Sequence, residues 1–245
     1  MQLLILGSNS RGNCYLLDTE NECLIIETGV SMHKVKEAIG FNISKIVGCI
    51  VTHSHLDHAG KVNDFMKAGI NVYMSPKTSE ELKYTSLKRP KTIEDKETFY
   101  LGGFKIKCFR VKHDVECYGY IIHHDLSGKI VFLTDTFYSP YSFSGVSHFM
   151  IEANYCIDIL NNNVSSGKIV PFVRDRIVRS HMSIQTAKEA LRVTDLSKVQ
   201  NIVLIHLSDA NSNAVDFKKQ IEESTGKLVT VADKNMEIDF SINPF

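Results

Sequence analysis

The stretch that most constrains this chain is "THSHLDHAG", residues 52–60. It sets His53, His55, Asp57 and His58 within six positions, directly after the apolar run "KIVGCIV". A packed core does not accept three imidazoles and a carboxylate so close together. A strand that stops at Thr52 delivers the next residues to the carboxyl edge of a sheet, where loops build sites. In an extended turn His53 and His55 point the same way, and Asp57 and His58 then open a helix and face a second point nearby. Imidazole nitrogen and carboxylate oxygen together suit zinc, and also manganese or iron. Four polar residues on an exposed loop is the alternative. It suits a lone histidine better than a pattern this dense.

Four residues cannot complete two coordination spheres, so further ligands should recur at strand ends. His113 follows the apolar run "FKIKCFRV", Asp135 ends "KIVFLTD", and His206 ends "NIVLIH". Each sits where a strand meets a loop.

The rest of the chain frames this cluster. Strand-like runs ("QLLIL", "CYLLD", "CLIIE") come first, and later runs alternate with amphipathic helical stretches such as "SIQTAKEALRV" and "AVDFKKQIEES". The pattern occurs in both halves and predicts two mixed sheets packed face to face with helices outside. No clean boundary divides residues 1–245, which reads as one domain of two packed halves, with the polar segment 86–97 as a surface loop. Apolar residues make up 43% and charged residues 23%, a globular balance with no run long enough to cross a bilayer. The start carries no secretory pattern, and six scattered cysteines read as reduced core residues, so a cytoplasmic protein is expected. Net charge is zero, so binding to a polyanion has to come from local patches. Two basic runs qualify, 83–91 and 173–179, although charge runs are more often solvated faces.

With these residues in place, the chain resembles the metallo-β-lactamase-fold hydrolases, whose H-x-H-x-D-H signature stands here as His53, His55, Asp57 and His58. "GSNSRGNCYLL", "VKHDVECYGYII", "FLTDT", "IEANY", "SHMS" and "LIHLSDANSN" extend the likeness over essentially the whole length, toward the YycJ/WalJ-type exonuclease-like branch. The resemblance implies an α/β (α+β) fold, a four-layer αββα sandwich of two mixed sheets. It also implies two divalent metal ions, Zn2+ or Mn2+ with Fe as a further option. His53, His55 and His113 would hold one, and Asp57, His58 and His206 the other. Asp135 would bridge them around a shared hydroxide nucleophile that Asp57 helps to orient. Redox di-iron relatives typically place Glu where His55 stands, so the chain looks hydrolytic. In the family's D-x-G pattern Glu27 replaces the usual Asp, in a position that normally supports the ligands.

The same resemblance implies a phosphodiesterase acting on nucleic acid, expected to be DNA and cut from a 5′ end. His181 in "RSHMSIQ" would touch the phosphate or protonate the leaving group, although Ser180 stands where relatives carry Gly. Ser183 would assist or simply cap the next helix. The loop with Ser8, Asn9 and Asn13 offers N–H groups and polar side chains to a phosphate, or is a plain hairpin turn. Asn154 would contact substrate or brace the metal loops. Two other classes compete: a small-molecule hydrolase (thioesterase, lactonase or cyclic-phosphate diesterase), and a non-catalytic scaffold. All seven ligand residues are present, which argues against the scaffold.

Overall fold

The computed structural model describes residues 1–85 and 89–242. Residues 86–88, shared by the polar segment 86–97 and the basic run 83–91, lie outside the described residues. In chain order the first half runs β1 (Gln2–Asn9), β2 (Gly12–Asp18), β3 (Cys23–Ile26), α1 (Met32–Ala38), β4 (Ile46–Ile50), α2 (Leu56–Ala59), α3 (Val62–Lys67), β5 (Val72–Met74), α4 (Pro76–Glu81) and β6 (Lys91–Thr92). The second half runs β7 (Thr98–Leu101), β8 (Phe104–Val111), β9 (Cys117–His124), β10 (Gly128–Leu133), β11 (His148–Glu152), α5 (Ile157–Ser165), α6 (Pro171–Ser180), α7 (Ile184–Arg192), β12 (Asn201–Ile205), α8 (Ala214–Thr225), β13 (Leu228–Val231) and β14 (Met236–Asp239).

The strands form two seven-stranded sheets, in the orders β14-β1-β2-β3-β4-β5-β6 and β13-β12-β11-β10-β9-β8-β7. Both are mixed: β3 to β6 and β10 to β13 are parallel neighbours, and the rest pair antiparallel. Alternation along the strands explains how the sheets stack. Leu3, Ile5, Tyr15, Leu17, Leu24 and Ile26 face a central cluster shared with Ile130, Phe132, Val203 and Ile205 of the second sheet. Their neighbours Leu4, Leu6, Cys14, Leu16, Cys23 and Ile25 face α1 and α3 through Met32, Val35, Phe65 and Met66. On the far side Val131, Leu133, Ile202 and Leu204 pack on α7 and α8. Both faces of each sheet are therefore apolar, as strands covered on two sides require. The result is the expected αββα arrangement. The six cysteines are free and five are buried, and among the described residues no helix is long and apolar enough to cross a membrane.

The topology also fixes where chemistry can gather. In the second sheet β8, β10, β11 and β12 run the same way, because two antiparallel steps restore direction and the rest are parallel. Their carboxyl ends deliver His113, Asp135, Glu152 and His206 to one edge.

One buried histidine lies at the opposite end of β11. His148 is fully buried, its ring stacks on Phe240 at 4.2 Å between centroids, and the Asn201 amide donates to its Nδ1 at 3.2 Å. Burial pushes its pKa down to about 4, from 6.5. The folded state keeps the ring neutral, while the unfolded chain protonates it below its ordinary value. Stability from this residue is intact above about pH 6.5 and falls as pH drops toward 4, by about 3 kcal/mol in all. Urea titrations across that range should show a flatter pH profile for His148→Gln than for the parent chain. Parallel profiles would contradict this account.

Candidate metal centre

β4 ends two residues before Thr52, and the chain passes through His53 and His55 into α2, whose first turn carries Asp57 and His58. Gly29 lets this turn come close: a Cβ there would collide with the carbonyl oxygen of Asp57 and the amide of Asn13. From the second sheet come His113, Asp135, Glu152 and His206, and the junction of α6 and α7 adds His181.

Asp135 is the hub of the cluster. It is 1% exposed. Its Oδ2 lies 3.7 Å from Nε2 of both His53 and His113. Its Oδ1 lies 3.4 Å from His58 Nε2 and 3.4 Å from His206 Nδ1, and accepts from Thr134 Oγ1 at 2.7 Å. One carboxylate thus presents one oxygen to each of two histidine groups. Ligand-type atoms of His53, His55, His113 and Asp135 all lie within 4.8 Å of one another. The same holds for Asp57, His58 and His206, and for Asp135, Glu152, His181 and His206. Asp135, His206 and Glu27 all have left-handed φ angles (47°, 55° and 70°). Non-glycine residues avoid that region, and where such residues cluster the surrounding structure has to hold them there.

The donor atoms fit a divalent cation. Thr52 Oγ1 has one proton, and it donates to Glu27 Oε1 at 2.6 Å. It therefore accepts from His53 Nδ1 at 2.8 Å, which leaves a lone pair on His53 Nε2. That nitrogen is buried and has no hydrogen-bond partner among the described residues. An orphaned buried nitrogen is costly, and a coordinated cation removes the cost. His113 repeats the pattern: Nδ1 donates to the Ser180 carbonyl at 2.7 Å, and Nε2 faces His55 Nδ1 at 3.2 Å. Neutral imidazoles with anchored Nδ1–H groups and buried carboxylates are a nitrogen–oxygen set suited to zinc, manganese or iron.

Electrostatics divide the cluster. Burial, helped by the nearby His58, holds His53 well below the usual imidazole range, and burial also lowers His113. On the other side burial opposes charge but loses. Asp135 and Glu27 hold His58 well above its ordinary value. Asp135, with hydrogen bonds to Asp57 and Glu152, raises His206 to about 10. Asp57 is correspondingly held far below the usual carboxylate range, against the effect of its burial, by hydrogen bonds from His206 and His58. Without metal, this half is neutralised by protons.

Glu27 reaches its targets despite its extra methylene. Oε1 takes the Thr52 hydroxyl and lies 3.3 Å from His58 Nδ1. Glu152 was not singled out from the sequence. Fully buried, its Oε1 lies 2.7 Å from His181 Nδ1 and 3.3 Å from His206 Nδ1, and its Oε2 accepts from the Thr136 and Met182 amides. An acid closing the otherwise apolar "HFMIE" was the available signal.

The other sequence candidates divide between bracing and turn roles. Asn13 Nδ2 donates to Asp57 Oδ2 at 3.3 Å and lies 3.1 Å from His58 Nε2. Asn154 Nδ2 donates to the His206 carbonyl at 2.8 Å, and Ser8 Oγ accepts from the His206 amide at 3.1 Å. Ser183 Oγ accepts from Thr186 N and caps α7, while Asn9 Oδ1 accepts from Arg11 N inside the β1–β2 turn. His181, half-buried beside Glu152, has its Nδ1 3.8 Å from Asp135 Oδ2. None of His33, His123, His124 and His148 belongs to the three clusters.

Similarities to known proteins agree with this geometry. The chain is 26% identical to the Exodeoxyribonuclease WalJ of Streptococcus pneumoniae serotype 2, over 97% of this chain and 91% of that protein. It is 27% identical to the Exodeoxyribonuclease YycJ of Bacillus anthracis, over 85% and 83%. Among solved structures, the metallo-beta-lactamase fold protein YhfI of Bacillus subtilis superposes with a TM-score of 0.73 at 16% identity, covering 97% of this chain and 99% of that one. The sequence pattern of the Metallo-beta-lactamase superfamily matches residues 8–149, more than half of the chain. The chain belongs to the metallo-beta-lactamase superfamily.

Proposed function

We propose that this chain is a metal-dependent phosphodiesterase that degrades DNA from an end. The observation that carries the reading is the division of one buried carboxylate: Asp135 turns one oxygen toward His53 and His113 and the other toward His58 and His206. In this reading His53, His55 and His113 would hold one divalent cation and Asp57, His58 and His206 a second, with Asp135 available to both sets. Bound cations supply Lewis acidity and water that is nucleophilic at neutral pH. Thr52 keeps His53 in the tautomer that leaves Nε2 free, Glu27 faces His58 Nδ1 at 3.3 Å, and Asn13 and Asn154 steady the second group.

His181 supplies the proton. Burial opposes its charge, but Glu152 and Asp135 raise its pKa above the ordinary imidazole value, which favours the protonated ring. With Nδ1 anchored on Glu152, the Nε2 proton is the one available to the departing oxygen of a phosphodiester. Likeness to two exodeoxyribonucleases over most of the chain supports DNA as the substrate.

A duplex labelled at a 5′ phosphate, incubated with the protein and Mn2+ or Zn2+, tests this directly. Progressive release of labelled mononucleotide is the expected result. Intact DNA beside rapid thioester or lactone turnover would replace the reading with a small-molecule hydrolase. No bound metal, or no hydrolysis of DNA or of bis-p-nitrophenyl phosphate with Mn2+ or Zn2+ added, would leave a scaffold.

A further inference from the structure

Helix α6 leads straight into the centre. Its last residue, Ser180, accepts the His113 Nδ1 proton on its carbonyl, and the next residue is His181. Helices of this length normally bury one stripe against the fold. α6 instead leaves Phe172, Asp175, Arg176 and Arg179 exposed, and Phe172 is 79% exposed. These positions follow i, i+3, i+4 and i+7, so they lie on one face. Together with Ser180 and Asp114 they line a groove of about 270 Å³. Asp114 ties the groove to the metal cluster: its Oδ1 is 3.0 Å from His113 Nε2 and 3.3 Å from His55 Nε2, and its Oδ2 is 3.9 Å from Arg176 Nε.

We infer that this face of α6 binds single-stranded DNA adjacent to the phosphate being cut. The inference rests on the proposed nuclease activity and adds where the strand runs. Charge is the first argument. The whole chain is neutral, yet Lys168, Arg174, Arg176 and Arg179 stand against two carboxylates, Asp175 and the groove's Asp114, a local excess of two positive charges. Chemistry is the second. An exposed aromatic ring on the same helix face as two exposed guanidinium groups is what an unpaired strand needs: a π-face for a base and cations for the neighbouring phosphates. Continuity is the third. The groove begins at Asp114, beside two histidines of the cluster. On the cluster's other strand-to-helix turn, Leu56, between His55 and Asp57, is likewise 79% exposed.

The test is fluorescence anisotropy with a labelled single-stranded 12-mer and protein carrying Asp135→Asn, so that binding is read without cleavage. In that background Phe172→Ala should weaken binding by about tenfold. Arg176→Gln with Arg179→Gln should lower the slope of log K against log salt by about 1.4. Lys219→Gln, an exposed cation on α8, serves as the control and should leave Kd unchanged. Circular dichroism melts check that the α6 variants fold, and a single-site Arg179→Gln provides a milder form. If the parent binds the 12-mer and the α6 variants bind it equally well, the inference fails and the proposed activity stands. If α6 variants alter dimerisation in sedimentation but not DNA affinity, a second copy occupies the groove and the inference also fails. If the wild-type chain neither binds nor cuts DNA, both fall.

Discussion

Asp135→Asn is expected to remove phosphodiester hydrolysis almost completely, by about a thousandfold or more in kcat/KM, while the chain still folds. Asparagine is the informative choice because residue 135 has a φ of 47°, a conformation asparagine tolerates better than most residues. It retains one oxygen but turns an NH2 group toward the other set of imidazoles. An amide nitrogen has no lone pair for a cation, and its protons would point at nitrogens 3.4–3.7 Å away. One half of the centre would keep its donors and the other would lose its shared oxygen. Metal analysis should show lowered occupancy along with the lost turnover. Full metal content with turnover above a tenth of the parent would remove Asp135 from the centre of the argument.

Much of this arrangement could be read before any coordinates. His53, His55, Asp57 and His58 announced themselves by density. His113, Asp135 and His206 did so by grammar, each a polar residue where an apolar strand stops. Alternation in "QLLIL", "CYLLD" and "KIVFLTD" encoded sheets covered on both faces, and hence the stacked layers. What the pattern hid has physical causes. Glu152 obeys the same grammar as Asp135, but it is the last residue of the strand itself, where it reads as part of the strand, and the likeness in "IEANY" pointed to Asn154. α6 was read only as a charged run, because its exposed stripe carries arginines where a packed helix would carry apolar residues. The edge strands β6 and β7 are two and four residues long, too short for alternation to register. Ser31 stands at the N-cap of α1 as its position indicates, yet its side chain makes no capping hydrogen bond, whereas Ser75, Ser183 and Asn213 do cap their helices.

Glu152→Ala should be the most damaging single change to the fold. The Glu152 carboxylate is fully buried and serves four groups from three separate segments. His181 Nδ1 and Met182 N come from the α6–α7 junction, Thr136 N from the loop after β10, and His206 Nδ1 from the end of β12. Burial alone would favour its protonated form. The charge on His181 and hydrogen bonds from the two imidazoles overcome that, and its pKa falls below the usual carboxylate range. Truncation leaves two amide protons unpaired and strands positive charge in a closed site. Breaking a buried ion pair from one side costs about 3–5 kcal/mol, which in a chain of this size lowers Tm by about 10 °C. The same change frees the rings of His181 and His206, so metal content and turnover should fall together with stability. Glu152→Gln separates the two effects. It refills the volume and keeps an acceptor for the amides, recovering much of the Tm, but it cannot hold His181 in its charged form and activity should remain low. A variant that recovered full activity along with Tm would reduce Glu152 to a packing residue, and a melt within 2 °C of the parent for Glu152→Ala would show that the three loops are held by something else.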